Sequence, residues 1–300
     1  MLTKFEKTLI LKTNALSNKV LYDLCAEYPF NCYDKDGYNK IDALAAQLLL
    51  IGRTYAASPQ RRSYKNKSVI FSNAANGKDD FFVLLAKELY KKREFYDASY
   101  SDSLVSRITE LKSSEFKFDC SQKDITLLIK SVECVLYFNK LLREAVYEID
   151  KPDLEKISAT DGGDCGGLIN FVSFSSKFLH FHCPDAIFII DTISSNNFRQ
   201  EKLDFGRGYK FRFSNGMNEI ESSIVISFDT EQTVKIKIEK QLQKNENLKG
   251  HDYLTHCIRE YLLAKEIYKE IQSENLKGKS ITRIVDDYIL NVIKKTKSKN

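Results

Sequence analysis

The chain has 300 residues, of which 43% are hydrophobic and 29% charged; this is typical of a globular protein of one large domain or two small ones. No run of roughly 18 apolar residues occurs and the lysine-rich start has no small-residue cleavage site, so neither a transmembrane helix nor a signal peptide is expected. The net charge of +5 permits nucleic-acid binding without requiring it, and seven cysteines with no CxxC pair favour a cytoplasmic location over a disulfide framework.

Helical periodicity dominates the first half of the chain. Apolar residues at i, i+3 and i+4 spacing predict a helix over 38–57. Residues 79–96 begin with acidic side chains and end with basic ones, which is the order that the helix dipole favours, so a helix is predicted there as well.

A third helical stretch, or two stacked helices, is predicted over 121–149. Ser121 and Asp124 resemble the capping box that often opens a helix. Pro152 is expected to end the helix, because proline lacks the backbone N–H that helical hydrogen bonding requires. The glycine-rich stretch 158–167 is predicted to be a loop, and its pattern is too irregular for a phosphate-binding glycine motif.

After residue 198 the pattern changes from helical to alternating. Three segments alternate at period two and are separated by turn-like stretches, which predicts strands at 209–213, 222–228 and 233–239. Helical periodicity then returns over 251–272 and 280–295.

The predicted fold class is therefore mainly α, with a small antiparallel β-sheet inserted into a helical body. The sheet is expected at 203–245, and the helical body is expected to combine 1–202 and 246–300. A division near 150–165 is the alternative, and it would make two halves of the helical body face each other across a cleft. The pattern does not indicate an oligomeric state.

Two ionisable residues stand out in the stretch 166–199. Lys177 lies inside an apolar helical pattern, and Asp191 follows fourteen residues later at the end of the apolar run AIFII. Ionisable groups in apolar surroundings are costly unless they are paired or used for chemistry. Pro184 lies between them and is expected to end the helix that carries the lysine.

The segment 172–199 resembles the helix–hairpin–helix superfamily of DNA glycosylases, which are base-excision enzymes. In that family a hairpin of the form hGhGxK connects two helices, and an apolar run further on ends in an aspartate. Here VSFSSK (172–177) corresponds to the hairpin, FLHFH (178–182) to the continuing helix and IIDT (189–192) to the aspartate element. Ser173 and Ser175 replace the two hairpin glycines.

The resemblance implies a two-lobed helical body and excision of a base from double-stranded DNA, with no cofactor and no metal. The carboxylate of Asp191 would stabilise the positive charge that develops on the sugar, or activate the nucleophile. The amine of Lys177 would attack C1′ and form a Schiff base, which adds lyase activity. The base must leave the stack and enter a pocket.

Further roles follow from the resemblance and from the distribution of basic residues. The expected DNA contacts are Ser173, Ser175, Ser176, Arg53, Arg61, Arg62 and Arg199. The pocket for the flipped base is expected to include Tyr55, His180 and His182. The damaged or hypermodified base itself is not specified by the sequence, and bacterial defence against phages with modified bases is one use of such a scaffold.

Simpler interpretations of the same residues remain open. Lys177 fits a helix lysine whose stem packs on the core while its amine reaches water. Asp191 fits a helix cap. The arginines fit cations that favour the end of a helix.

Two other functions also remain open. A non-catalytic nucleic-acid-binding protein on the same scaffold is the first, because the hairpin glycines are missing. A metal-dependent nuclease that uses His182, Asp185 and Asp191 is the second, although the two histidines at 180 and 182 point to different faces of a helix.

Overall fold

The computed structural model describes residues 19–27, 40–54, 59, 80–161, 170–190, 209–214, 219–224, 233–234, 236–238, 240, 252–270, 280–282 and 285. These residues are mainly helical, which confirms the predicted mainly α class. Within the described ranges, no helix is both long enough and apolar enough to cross a membrane.

The described helices and strands are labelled in chain order. In chain order they are α1 (Lys19–Glu27), α2 (Lys40–Thr54), α3 (Phe81–Tyr90), α4 (Arg93–Tyr96), α5 (Leu104–Lys112), α6 (Gln122–Asp161), α7 (Val172–His182), β1 (Tyr209–Ser214), β2 (Glu219–Ile224) and α8 (Asp252–Glu270).

The chain divides into two compact units. The first combines residues 1–109 with 135–182, and the second combines 110–134 with 183–300. Helix α6 therefore contributes its start to the second unit and the rest to the first. The expected insertion at 203–245 stays a prediction.

Helices α1, α2 and α7 pack on one another in the first unit, and α3 packs on α2. The predicted helix over 38–57 is confirmed by α2. The predicted helix over 79–96 is confirmed with a break, because Lys92 is extended (φ −98°, ψ 116°) and separates α3 from α4. Asp80 caps α3 by accepting a hydrogen bond from the backbone N–H of Phe82 at 3.0 Å.

Helix α7 begins where two asparagines hold its first residues. The side chain of Asn170 accepts a hydrogen bond from the N–H of Val172 at 3.0 Å, as an N-cap does. Asn139 on α6 accepts one from the N–H of Phe171 at 2.8 Å. The prediction of a hairpin at 172–177 is wrong, because these residues form the first turns of α7. Apolar residues of α7 recur at spacings of three and four, and they pack into the first unit.

The core of the second unit is aromatic. The ring of Phe116 lies 5.6 Å from the ring of Phe188 and 5.5 Å from the ring of Tyr261. Strands β1 and β2 pair antiparallel, with Tyr209 opposite Ile224, and β2 contacts α8. Helix α8 confirms most of the helix predicted over 251–272.

The strand predicted at 233–239 is wrong, because residues 233–234, 236–238 and 240 are helical. Val234 and Ile238 are each 1% exposed while Ile236 is 50% exposed. A strand would place all three side chains on one face, whereas a helix places the first and last together and turns the middle one away. The burial of Val234 and Ile238, which lie four residues apart, therefore favours the helix although the sequence alternates as a strand does.

The break predicted at Pro152 is also wrong, because α6 continues to Asp161. Proline at this position removes the hydrogen bond to the carbonyl of Glu148. Both Pro152 and Glu148 are exposed, so water can hydrate the carbonyl that loses its partner. The cost of the proline is thereby reduced, and the helix is not interrupted.

Candidate functional site

Lys177 lies in the interior of the first unit. Its side chain is only 2% exposed, and its Nζ donates a hydrogen bond to the hydroxyl of Ser173 one turn earlier, at 3.3 Å. The interpretation of Lys177 as a lysine that reaches water is therefore wrong.

Aromatic rings follow the same helix. The ring of Phe178 lies 4.9 Å from Phe138 on α6, 6.3 Å from Phe174 and 4.7 Å from His182, measured between centroids. Phe174, Phe178 and Phe138 are all buried. Aromatic rings are thus packed along α7, which also buries the polar side chains of Ser175, Ser176, His180 and His182.

The three serines expected to contact DNA have interior or partly interior positions. Ser175 and Ser176 are fully buried, and Ser173 is half-buried. Ser176 donates its hydroxyl hydrogen to the carbonyl of Ser173 at 3.1 Å. Because α7 replaces the expected hairpin, Ser175 and Ser176 lie in the core, where the resemblance expected a loop facing DNA.

The two histidines of α7 have different neighbours. The Nε2 atom of His180 lies 2.6 Å from the hydroxyl of Tyr22 on α1, and the Tyr22 ring also packs against Phe181 at 4.7 Å. His182 packs against Phe178 instead. Both histidines are buried, so they line the interior of the first unit and no side chain of the pair reaches solvent.

Several expected site residues lie outside the part of the chain that the structure describes. They are Tyr55, Arg61, Arg62, Asp191 and Arg199. Arg53 is described, and it is an exposed side chain in the last turn of α2. That position suits both a phosphate contact and a cation at a helix end.

The apolar run that precedes Asp191 is held by two polar side chains of α8. Residues 186–189 are buried. The hydroxyl of Tyr253 donates a hydrogen bond to the carbonyl of Phe188 at 2.9 Å, and the Nε2 atom of His256 lies 3.2 Å from the carbonyl oxygen of Ile189. The residue two positions before Asp191 is thereby anchored through its backbone.

His256 and Glu260 lie close together inside the second unit. The Nε2 atom of His256 lies 3.0 Å from Oε1 of Glu260, and both side chains are almost completely buried. Burial raises the pKa of the Tyr253 phenol and of the Cys257 thiol well above their usual values, and the Glu260 carboxylate adds to both effects. The sequence analysis missed this group, although its polar residues at 253, 256 and 260 recur at helical spacing between apolar ones.

No group of three or more His, Cys, Asp or Glu residues suited to a metal ion occurs among the described residues. His182 is buried and Asp185 is exposed, while Asp191 lies outside the described ranges. A metal-dependent nuclease on these residues stays a hypothesis, and insensitivity to chelators would exclude it.

Comparisons of the chain with protein-family models, with curated proteins and with solved structures gave no match.

Proposed function

We propose that the chain is a DNA glycosylase that excises a damaged or hypermodified base from double-stranded DNA and that carries lyase activity. The observation that supports the proposal is the complete burial of Lys177 on an aromatic helix. Burying an ammonium group costs several kcal/mol in a typical interior, roughly the stability of a small domain. A buried ionisable group is a candidate for a chemical role, and the proposal takes the amine of Lys177 in that role.

The chemistry follows from the residue types. A neutral amine is nucleophilic, and an apolar environment favours the neutral form of an amine over the ammonium form. The amine of Lys177 attacks C1′, the N-glycosidic bond breaks, and the base leaves with the bonding electrons and takes up a proton. Opening of the sugar ring and loss of a proton from nitrogen give the Schiff base, and β-elimination then breaks the 3′ C–O bond.

Asp191 supplies the carboxylate in this proposal. Positive charge develops on the sugar as the base departs, and a fixed carboxylate stabilises it. The described part of the run that precedes Asp191 is held through its backbone, because Tyr253 and His256 contact the carbonyls of Phe188 and Ile189.

The test is trapping of the Schiff base with borohydride. Duplexes that carry oxidised purines or glucosylated hydroxymethylcytosine are incubated with the wild-type protein and with Lys177→Met, and half of each sample is treated with alkali. A covalent adduct that disappears in Lys177→Met supports the bifunctional enzyme. Abasic sites without an adduct would leave a glycosylase without lyase activity, and neither product on any duplex would contradict the proposal.

A second candidate function is supported by the helical conformation of residues 172–177. A glycosylase of the resembled family uses a hairpin there, whereas this chain buries Ser175 and Ser176. A non-catalytic nucleic-acid-binding protein is consistent with that difference. Substitution of Asp191 separates the two functions, as argued below.

A further inference from the structure

Two lysines from different segments of the second unit converge on Cys120. The Nζ atom of Lys237 donates a hydrogen bond to the carbonyl oxygen of Cys120 at 3.1 Å. The Nζ atom of Lys265 on α8 donates one to Sγ of the same residue at 3.2 Å. Both ammonium groups thus lie within hydrogen-bonding distance of one residue, and an anion that contacts both is attracted to each of them.

Within the described ranges, neither ammonium forms a salt bridge with a carboxylate. Exposed lysines elsewhere do form such pairs, for example Lys91 with Glu88 and Lys140 with Glu144. The positive charge of Lys237 and Lys265 is therefore not neutralised by the described acidic side chains.

The two acidic residues nearest in sequence to Cys120 are already engaged by donors. Asp119 accepts a hydrogen bond from the N–H of Ser121 at 2.8 Å, and its carboxyl pKa is lowered, chiefly by the hydrogen bond from the Ser121 side chain. Asp124 is buried and accepts hydrogen bonds from the N–H groups of Lys117 and Asp119 at 2.9 and 3.1 Å. Within the described ranges, neither carboxylate forms a salt bridge with Lys237 or Lys265.

Hydrogen bonds hold the backbone of Cys120 in place. Its backbone N–H donates to the hydroxyl of Tyr261 at 2.9 Å, and that hydroxyl donates to Asp124 at 2.6 Å. Cys120 has a positive φ of 58°, an unfavourable value for a residue other than glycine, which these contacts hold in place. A preorganised surface of this kind binds a ligand with less loss of entropy than a mobile one.

An exposed aromatic ring lies beside this surface. Tyr268 is 37% exposed, and its ring lies 5.5 Å from the ring of Phe118, two residues before Cys120. Helix α6 begins at Gln122, and the N-terminus of a helix carries partial positive charge. Exposed Lys123 lies in the same segment, whereas Lys117 is paired with Glu115. Basic side chains mixed with an exposed aromatic ring are typical of surfaces that bind nucleic acids.

We infer that the Cys120 surface, formed by Cys120, Lys237, Lys265 and Tyr268, binds a phosphate of the DNA backbone. The two ammonium groups contact the phosphate oxygens, and Tyr268 packs against the neighbouring sugar or base. The identity of the partner as DNA rests on the proposed function, whereas the anionic character of the ligand rests on the two lysines.

The first test removes the two charges. Binding of a fluorescent duplex without base modifications is measured over about 50–200 mM salt for the wild type and for Lys237→Gln/Lys265→Gln. The slope of log K against log salt is expected to fall by about 1 in magnitude, because the two lysines together neutralise one phosphate, and each neutralised phosphate releases about one counterion. Affinity at about 0.1 M salt is expected to fall roughly tenfold.

The control variant is Lys91→Gln/Lys140→Gln, which removes the same net charge from exposed lysines of the first unit. It is expected to keep the wild-type slope. Equal slopes for the two double variants would overturn the inference, as would failure of the wild type to bind the duplex. Binding of the wild type to phosphatidylserine vesicles without binding to the duplex would assign the surface to a membrane and overturn the inference as well.

The second test needs no variant and does not depend on how the double variant folds. Alkylation of half-buried Cys120 by a maleimide is followed by peptide mass spectrometry with and without saturating duplex. Bound DNA is expected to slow the labelling of Cys120 severalfold, and an unchanged rate would overturn the inference.

Both tests use an unmodified duplex and need no base excision, so they separate the two proposals. If the slope changes but no base is released, the Cys120 surface is supported and the glycosylase proposal is contradicted. If a base is released but the slope is unchanged and Cys120 is not protected, the glycosylase proposal is supported and the Cys120 surface is contradicted.

Discussion

Charged residue types occupy the interior of both units, and their surroundings differ. The carboxylate of Asp124 accepts hydrogen bonds from two backbone N–H groups and from Tyr261, which is the environment of a structural group. Lys177 contacts the hydroxyl of Ser173 and lies on a helix of aromatic residues. The first arrangement stabilises the fold directly, whereas the second places an amine beside a single described hydroxyl and aromatic rings.

Replacement of Lys177 by Met tests whether the amine is retained for function. Exchange of a buried charged group for an apolar one of similar volume is often neutral or stabilising by about 1–4 kcal/mol. We expect Lys177→Met to unfold at the same or a higher urea concentration than the wild type while its borohydride adduct disappears. Lys140→Met, an exposed site on α6, is the control and should change neither readout. A loss of stability in Lys177→Met would instead indicate a structural role.

Asp124→Asn is expected to destabilise the second unit. Asparagine offers one acceptor oxygen in place of two, so at least one buried donor from Tyr261 or the segment 117–119 loses its partner. The expected cost is about 2–3 kcal/mol, measured by urea unfolding. Glu110→Gln, an exposed site paired with Lys130, should cost less than about 0.5 kcal/mol. Similar values for the two variants would contradict the structural role of Asp124.

Asp97 predicts a specific acid dependence of stability. Hydrogen bonds from the Ser99 side chain and from Arg93 lower the pKa of its carboxyl from 3.8 to about 2. A lowered pKa in the folded state stabilises the fold above the unfolded value, and the effect is lost as pH falls from about 4 towards 2. The difference in unfolding midpoint between wild type and Asp97→Asn should therefore shrink over that range. A difference that stays constant would contradict the lowered pKa.

At the scale of elements, buried contacts decide conformation where local pattern is ambiguous. Residues 233–239 alternate as a strand does, yet the described residues of this segment are helical and bury Val234 together with Ile238. Helix α7 shows the same effect, because Val172–Lys177 joins the buried helix and the expected hairpin does not form. In both cases the pattern is compatible with two local structures, and packing selects one.

The helical state of this segment predicts unequal effects of two similar substitutions. Ile238→Ala should cost about 2–4 kcal/mol because it leaves a cavity, whereas Ile236→Ala should lie within about 0.5 kcal/mol of the wild type because that side chain is exposed. Both are measured by urea unfolding. Comparable losses at the two positions would indicate that they share one face, as in a strand.

At the scale of the whole molecule, the two candidate functions differ only in turnover. Asp191→Asn removes the carboxylate charge and keeps the shape of the side chain. Binding to a modified duplex should persist in either case, and release of the base should fall by a factor on the order of a hundred or more only in an enzyme. Asp185→Asn, an exposed acid in the same stretch, is the matched control and should leave turnover unchanged. Equal turnover of Asp191→Asn and the wild type would contradict the role of Asp191.

The sequence by itself determined the mainly α class and helices α2, α3 and α8. It also indicated Lys177 as an isolated charge in an apolar pattern. Helical periodicity and an isolated charge are both local signals. It did not determine the continuity of α6 through Pro152, the helical state of the described residues at 233–234, 236–238 and 240, or the groups around His256 and Cys120. These depend on which segments meet in space: Glu260 and Ile189 both reach His256, and Lys237 and Lys265 both reach Cys120. Burial and contacts between distant residues contribute more free energy than local preference does, so only the tertiary structure decided these features.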